Sequence, residues 1–146
     1  MAEVVITITI GLALLALAWI ALERRERFLQ RRHVANHPPC PDAEFLGKMG
    51  VQGEDAERSR ASRNAMAKAA GVPADTIYSE QPVELLFALG YDGLDILDFV
   101  TAVEAELGVS VRDGAFGKKD LEGLATFADL VRLFLRNWDR AITRRE

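Results

Sequence analysis

The sequence is short of the residues from which small domains build cross-links and metal centres. It has one cysteine, Cys40, so no internal disulfide can form, and a reducing compartment fits that usage. His33 and His37 are the two histidines, and with Cys40 they make an H-x3-H-x2-C cluster. Three ligands beside Pro38, Pro39 and Pro41, with no fourth nearby, make a poor structural zinc site, so a polar linker is expected there and no metal. Lysine and arginine are missing from Ala69 to Val111, and the net charge is −4, which together argue against a nucleic-acid partner. Asp92-Gly93 resembles a calcium loop, but Ala88 and Gly90 stand where oxygen ligands are needed. No phosphate-binding glycine loop, nucleophile elbow or paired-histidine motif occurs, so no catalytic residue and no enzymatic activity are expected.

Long apolar runs are also missing, with one exception. Val4 to Leu22 contains no charge and no proline, and eleven of its nineteen residues are Val, Ile or Leu. At about 1.5 Å per residue this stretch spans roughly 28 Å, close to the ~30 Å hydrocarbon thickness of a bilayer. Only Glu3 precedes it, whereas Arg24, Arg25, Arg27, Arg31 and Arg32 follow, and Trp19 sits near that end. Basic flanks stay on the cytoplasmic side. The expectation is a single-pass anchor in the cell membrane with the C-terminal part cytoplasmic. A signal peptide cleaved near Ala16-Leu17-Ala18 is the alternative, but it lacks the usual basic start.

The rest reads as helices joined by loops. The anchor continues as a basic helix over Glu23 to His33, and the prolines break it. Asp42 to Met49 is a short helix carrying Phe45 and Leu46. A helix near Asp55 to Ala70 is stopped by Gly71, with Pro73 beyond. A long connection runs from Val72 to Tyr91, with apolar Val72, Ile77, Leu85, Leu86 and Leu89. The next helix, near Gly93 to Leu107, has Asp92 as N-cap and places Leu94, Leu97, Val100, Val103 and Leu107 on one stripe, with Ile96 and Thr101 near solvent. A short helical turn is expected around Lys119 to Leu124. Thr126 and Asp129 form a capping box before Phe127, Leu130, Val131, Phe134, Leu135 and Trp138. No alternating strand pattern is visible. The expected class is all-α. The chain divides into an anchor (1–22), a basic juxtamembrane and Pro-rich segment (23–53), a helical domain (54–140) and a basic tail (141–146).

Leu89 to Val109 reads LGYDGLDILDFVTAVEAELGV. It resembles the central signature of acyl carrier proteins, in which Leu-Gly-x-Asp-Ser-Leu leads into an acidic second helix. Leu89, Gly90, Asp92, Leu94, Asp95, Val100, Glu104, Glu106 and Val109 fall in register. Ala70-Gly71-Val72 with Ile77 resembles the end of that family's first helix, and Ala125-Thr126-Phe127 resembles the start of its fourth. The likeness covers about 85 residues and implies a four-helix bundle with a short third helix. Arg112 to Lys119 is longer and more basic than the family's pattern. At the serine that carries phosphopantetheine in the family stands Gly93, which has no side-chain oxygen, so the resemblance here implies a carrier-like protein without a cofactor.

By the same resemblance, the second helix is the face that partner enzymes recognise. Asp92, Asp95, Asp98, Glu104 and Glu106 lie on the matching segment and are the expected partner-binding residues. An acidic segment of this kind steers and orients a basic protein partner more than it adds affinity. That partner is expected to belong to lipid or polyketide-type metabolism. Val4–Leu22 and the arginines of Arg24–Arg32 meet membrane lipid and its anionic headgroups. Two other readings stay open: a genuine carrier with its arm attached elsewhere or an acyl chain held noncovalently, and a structural membrane adaptor.

Overall fold

The computed structural model describes residues 2–90, 96–112, 115, 116, 120 and 122–144. Helix α1 runs unbroken from Ala2 to Asn36. Its apolar half is uncovered: Ile8, Leu12, Leu15, Trp19 and Leu22 are all exposed. This is one helix long and apolar enough to cross a membrane, with a mean hydropathy of 1.6 over its best window and none of that window buried. As expected, the helix continues past the arginines and yields only at the proline cluster.

Helix α2 (Asp42–Met49) starts after Pro41 and ends at Gly50, whose φ of 69° supplies the left-handed stop. Helix α3 (Glu54–Ala70) is closed by Gly71 in the same conformation. There the Val72 N–H reaches the Ala67 carbonyl at 3.0 Å and the Gly71 N–H reaches Lys68 at 3.4 Å, the paired bonds of a Schellman motif. The connection that follows is partly ordered rather than a plain loop. It holds a 3₁₀ turn (Ala74–Thr76) and a one-turn helix α4 (Val83–Phe87). Ile77, Leu86 and Leu89 are buried, while Leu85 is exposed.

Helix α5 (Ile96–Leu107) packs along α3, which explains the alanines of α3. Small side chains at Ala61, Ala65, Ala67 and Ala70 let the two backbones approach closely. Helix α6 (Phe127–Arg136) begins with the expected capping box: Thr126 accepts from the Asp129 amide, and Asp129 accepts from the Thr126 amide. Asn137 interrupts it before the short α7 (Trp138–Ala141). Of the expected third helical turn, Asp120 is helical and Glu122–Gly123 is a turn; 117–119 and 121 lie outside the described residues.

Aromatic rings join the layers. Phe127 lies 6.2 Å from Phe45 and 6.3 Å from Phe99, and Phe99 stands edge-on to Phe134 at 6.5 Å. Cys40, Phe45 and Met49, from the segment expected to be linker, are buried in this core. Arg63 is fully buried and ties them to it. Its Nε donates to the Ile77 carbonyl at 2.9 Å, and its two terminal nitrogens donate to Cys40 O and Asp42 Oδ1 at 2.8 Å. Its guanidinium also lies over the Phe45 ring at 4.6 Å.

A helical fold dominates, with one addition that the sequence did not signal. Strand β1 (Val109–Val111) pairs antiparallel with β2 (Ile142–Arg144), Val109 opposite Arg144. Three residues per strand are too few for alternation to be read from sequence. Of the expected basic tail, Ile142–Arg144 thus join the domain as a strand.

Candidate functional site

The candidate site is the acidic helix α5 and the loop that leads into it. Leu89 is buried and Gly90 half-buried, and the Leu89 amide donates to Leu86 O at 3.1 Å, so α4 fixes where the loop begins. Asp92, Gly93, Leu94 and Asp95 lie outside the described residues. From Ile96 onward the helix is defined.

Its orientation corrects the expected apolar stripe. Phe99 and Val103 are fully buried, and Ile96, Val100 and Leu107 are half-buried. Leu97 is 67% exposed. Residues 97 and 99 stand about 200° apart at 100° per residue, so both cannot face the core. The larger Phe99 ring takes the interior, between Phe127 and Phe134, and Leu97 turns outward. Ile96, expected near solvent, instead packs on the core, while Thr101 is exposed as expected.

The acidic residues separate as well. Asp98 is exposed beside Leu97 and Thr101. Glu104 is committed inside the chain: its Oε1 accepts the Val111 N–H at 2.6 Å, which holds β1 to the end of α5. Glu106 pairs with Lys68 of α3 at 3.8 Å. The exposed residues on the described part of α5 are Leu97, Asp98, Thr101, Ala105 and Glu106, with Asp98 beside the apolar Leu97 and Glu106 near the far end, paired with Lys68. The seam on the inner side, lined by Ile96, Phe99, Val100, Phe116, Leu130, Leu133 and Phe134, has room for about one water-sized sphere.

The loops opposite are stitched to α6. Val83 N donates to Ala125 O at 3.1 Å, Phe127 N to Gln81 O at 2.9 Å, and Ala128 N to Ser79 O at 2.8 Å. The Thr126 hydroxyl and amide together hold the Asp129 carboxyl below its usual range. The Ser79 hydroxyl and Lys48 do the same for Glu80.

His33, His37 and Cys40 are not gathered as ligands. His33 Nε2 is 3.0 Å from Thr76 O, His37 Nδ1 is 2.8 Å from His33 O, and Cys40 is buried. What the sequence reading missed is that α1 touches the site loop. Gln30 Nε2 lies 3.1 Å from Ala70 O and 3.5 Å from Leu89 O. A signal was present: Glu23, Glu26, Gln30, His33 and His37 recur at helical spacing, and all are half-buried.

No curated protein and no solved structure matches the chain. A family model described as the phosphopantetheine attachment site matches residues 63–134, from the middle of α3 almost to the end of α6. That span takes in the carrier-like signature, the α3–α5 packing and the capping box, in the order the resemblance requires. The chain carries a domain of the acyl-carrier-like phosphopantetheine attachment family.

Proposed function

We propose that this chain is a membrane-tethered, non-enzymatic relative of acyl carrier proteins that presents α5 as a protein-interaction surface and carries no prosthetic arm. The observation that carries the reading is Gly93, which lies inside the matched span and, by the resemblance of Leu89–Val109 to the family's signature, stands where that signature has its serine. Phosphopantetheine is joined through a phosphodiester to a side-chain oxygen, and glycine offers none. Nearby hydroxyls do not replace it. Ser79 is 5% exposed and donates to Glu80 at 2.8 Å; Ser110 is half-buried within β1; Thr101 stands in mid-helix rather than at the helix start. The residues present do not fit the arm.

Exposed Leu97, Asp98 and Thr101 support the interaction surface, with Asp92 and Asp95 preceding them in sequence. The partner is a protein with a basic docking patch, of lipid or polyketide-type metabolism. The uncovered apolar half of α1 supports placement in the cell membrane, and Arg24–Arg32 support a cytoplasmic C-terminal domain. Tethering raises the local concentration of a partner at the same bilayer. The packed inner seam weighs against an acyl chain held noncovalently, because its side chains would have to part to admit one.

Intact mass is the test. Incubation with a phosphopantetheinyl transferase and coenzyme A leaves the chain's mass unchanged, whereas Gly93→Ser gains one arm. An arm on the unaltered protein would overturn the reading. Charge reversal at Asp95 and Asp98 lowers partner capture several-fold without loss of helicity. Unchanged capture would make that face a solvated surface only.

A further inference from the structure

The proline cluster was expected to separate anchor from domain, yet α1 contacts the domain before reaching those prolines. Past Leu22, α1 has two faces. Glu23, Glu26, Leu29, Gln30 and His33 are half-buried, as is His37 just past the helix end, whereas Arg24, Arg25, Arg27, Phe28, Arg31 and Arg32 are exposed. The inner face is bonded at several heights. Glu26 Oε1 holds Gln30 Nε2 at 2.9 Å, and that nitrogen reaches Ala70 O and Leu89 O. One turn further, His33 meets Thr76 O at 3.0 Å, and His37 stands edge-on to Tyr78 at 5.4 Å. The fit is close. A Cβ on Gly71 would lie 2.6 Å from the tip of the Gln30 side chain, so α1 passes close by the left-handed glycine that stops α3.

We infer that α1 is a rigid bracket, holding the Leu89 end of the domain at a fixed height just outside the lipid headgroups, where it meets a membrane-bound protein with a basic surface at that height. Gln30 is eight residues beyond Leu22, which is about 12 Å along a helix. The headgroup layer occupies roughly 5–8 Å of that. No helix break lies between the apolar half and these contacts, so bilayer and domain move as one body. Arg24 and Arg25, exposed and next to Leu22, lie at the height of anionic headgroups, whereas the acidic residues of α5 belong to the domain and are left to a protein partner. A basic partner confined to the same bilayer matches both the height and the sign of charge. This inference rests on the membrane placement proposed above, and the experiment separates the two.

The full chain with Cys40→Ser, Arg31→Cys and Thr101→Cys is spin-labelled and inserted in phosphatidylcholine–phosphatidylglycerol vesicles. Vesicle flotation checks the anchor by itself, and a chain that fails to float sinks the membrane placement and the height with it. The label-to-label distance checks the bracket, in vesicles and in detergent alike. One narrow distance is expected, broadening in a Gln30→Ala, His33→Ala variant that keeps its helicity. A broad distribution in the parent, or an unchanged narrow one in the variant, overturns the bracket. For the partner, a photo-reactive residue replacing Leu97 is exposed to a Lys/Arg-rich peptide anchored to the vesicles by an acyl chain. Cross-linking several-fold above that of the same peptide in solution, or of an anchored acidic peptide, is expected. Equal cross-linking of the three overturns the partner assignment.

Discussion

Helices α3 and α6 lie in one core but are held there by different means. Helix α6 buries Phe127, Leu130, Val131, Leu133 and Phe134 on one face and carries its own start signal in Thr126 and Asp129. Helix α3 buries alanines, Met66, Ser59, Ser62 and Arg63. One is stabilised chiefly by removing large apolar area from water. The other contributes close approach and a polar clamp whose partners, Cys40, Asp42 and Ile77, come from elsewhere in the chain. An apolar helix face declares itself locally; a small-residue face acquires meaning only from what packs on it.

Five substitutions at four positions sharpen that contrast, each read by chemical unfolding of the detergent-solubilised chain followed by near-ultraviolet circular dichroism. Phe127→Ala removes the ring that touches both Phe45 and Phe99 and is expected to cost about 3–5 kcal/mol. A loss below about 1 kcal/mol would mean that the aromatic cluster is not the centre of the core. Arg63→Ala leaves the carbonyls of Cys40 and Ile77 buried without their donor, at about 1–3 kcal/mol each. Asp42 is half-exposed and keeps its pair with Arg60, so the loss of its bond to Arg63 adds little. Arg63→Lys should not restore stability, because an ammonium lacks the fork that reaches three acceptors. Equal stability of the Lys variant and the parent would show that charge alone suffices there.

Thr126→Ala removes one half of the capping box and should cost about 1 kcal/mol at neutral pH. Its pH dependence follows from the depressed Asp129 carboxyl. A carboxyl with a lower pKa folded than unfolded stabilises the fold fully above the unfolded value, near 3.9, and ceases to do so as pH falls through the folded value. The gap between parent and Thr126→Ala should therefore narrow below about pH 4, and a constant gap would exclude the carboxylate's part in the cap. The smallest effect is expected at Ser59, whose buried hydroxyl finds no partner among the described residues. Ser59→Ala should shift stability by less than about 1 kcal/mol, toward the folded state. A clear loss would reveal a bond to that hydroxyl.

The same division governs how much of the molecule was legible. The apolar half of α1, the Gly71 stop, the capping box and the α6 stripe depend on residues within a few positions of one another, and each was readable. The direction in which α5 faces was not, because Leu97 and Phe99 are both apolar and only the Phe127 and Phe134 rings select between them. Glu104 looked like one more surface acid until β1 brought the Val111 amide to it. The hairpin escaped notice because its two strands are three residues long and some thirty residues apart.

The sequence alone determined the long apolar helix, the helical class, the carrier-like signature and Gly93 within it. All of these reside in composition, in short spacing or in a single side chain that is missing. Tertiary structure decided which carboxylates of α5 face outward, that Cys40, Phe45 and Met49 join the core, and that α1 grips the domain ahead of the prolines. Those outcomes depend on bonds between residues 7 to 59 positions apart, such as Glu104 to Val111 and Gln30 to Leu89, and nothing in the local pattern fixes which of several possible partners a side chain meets once the chain has closed on itself.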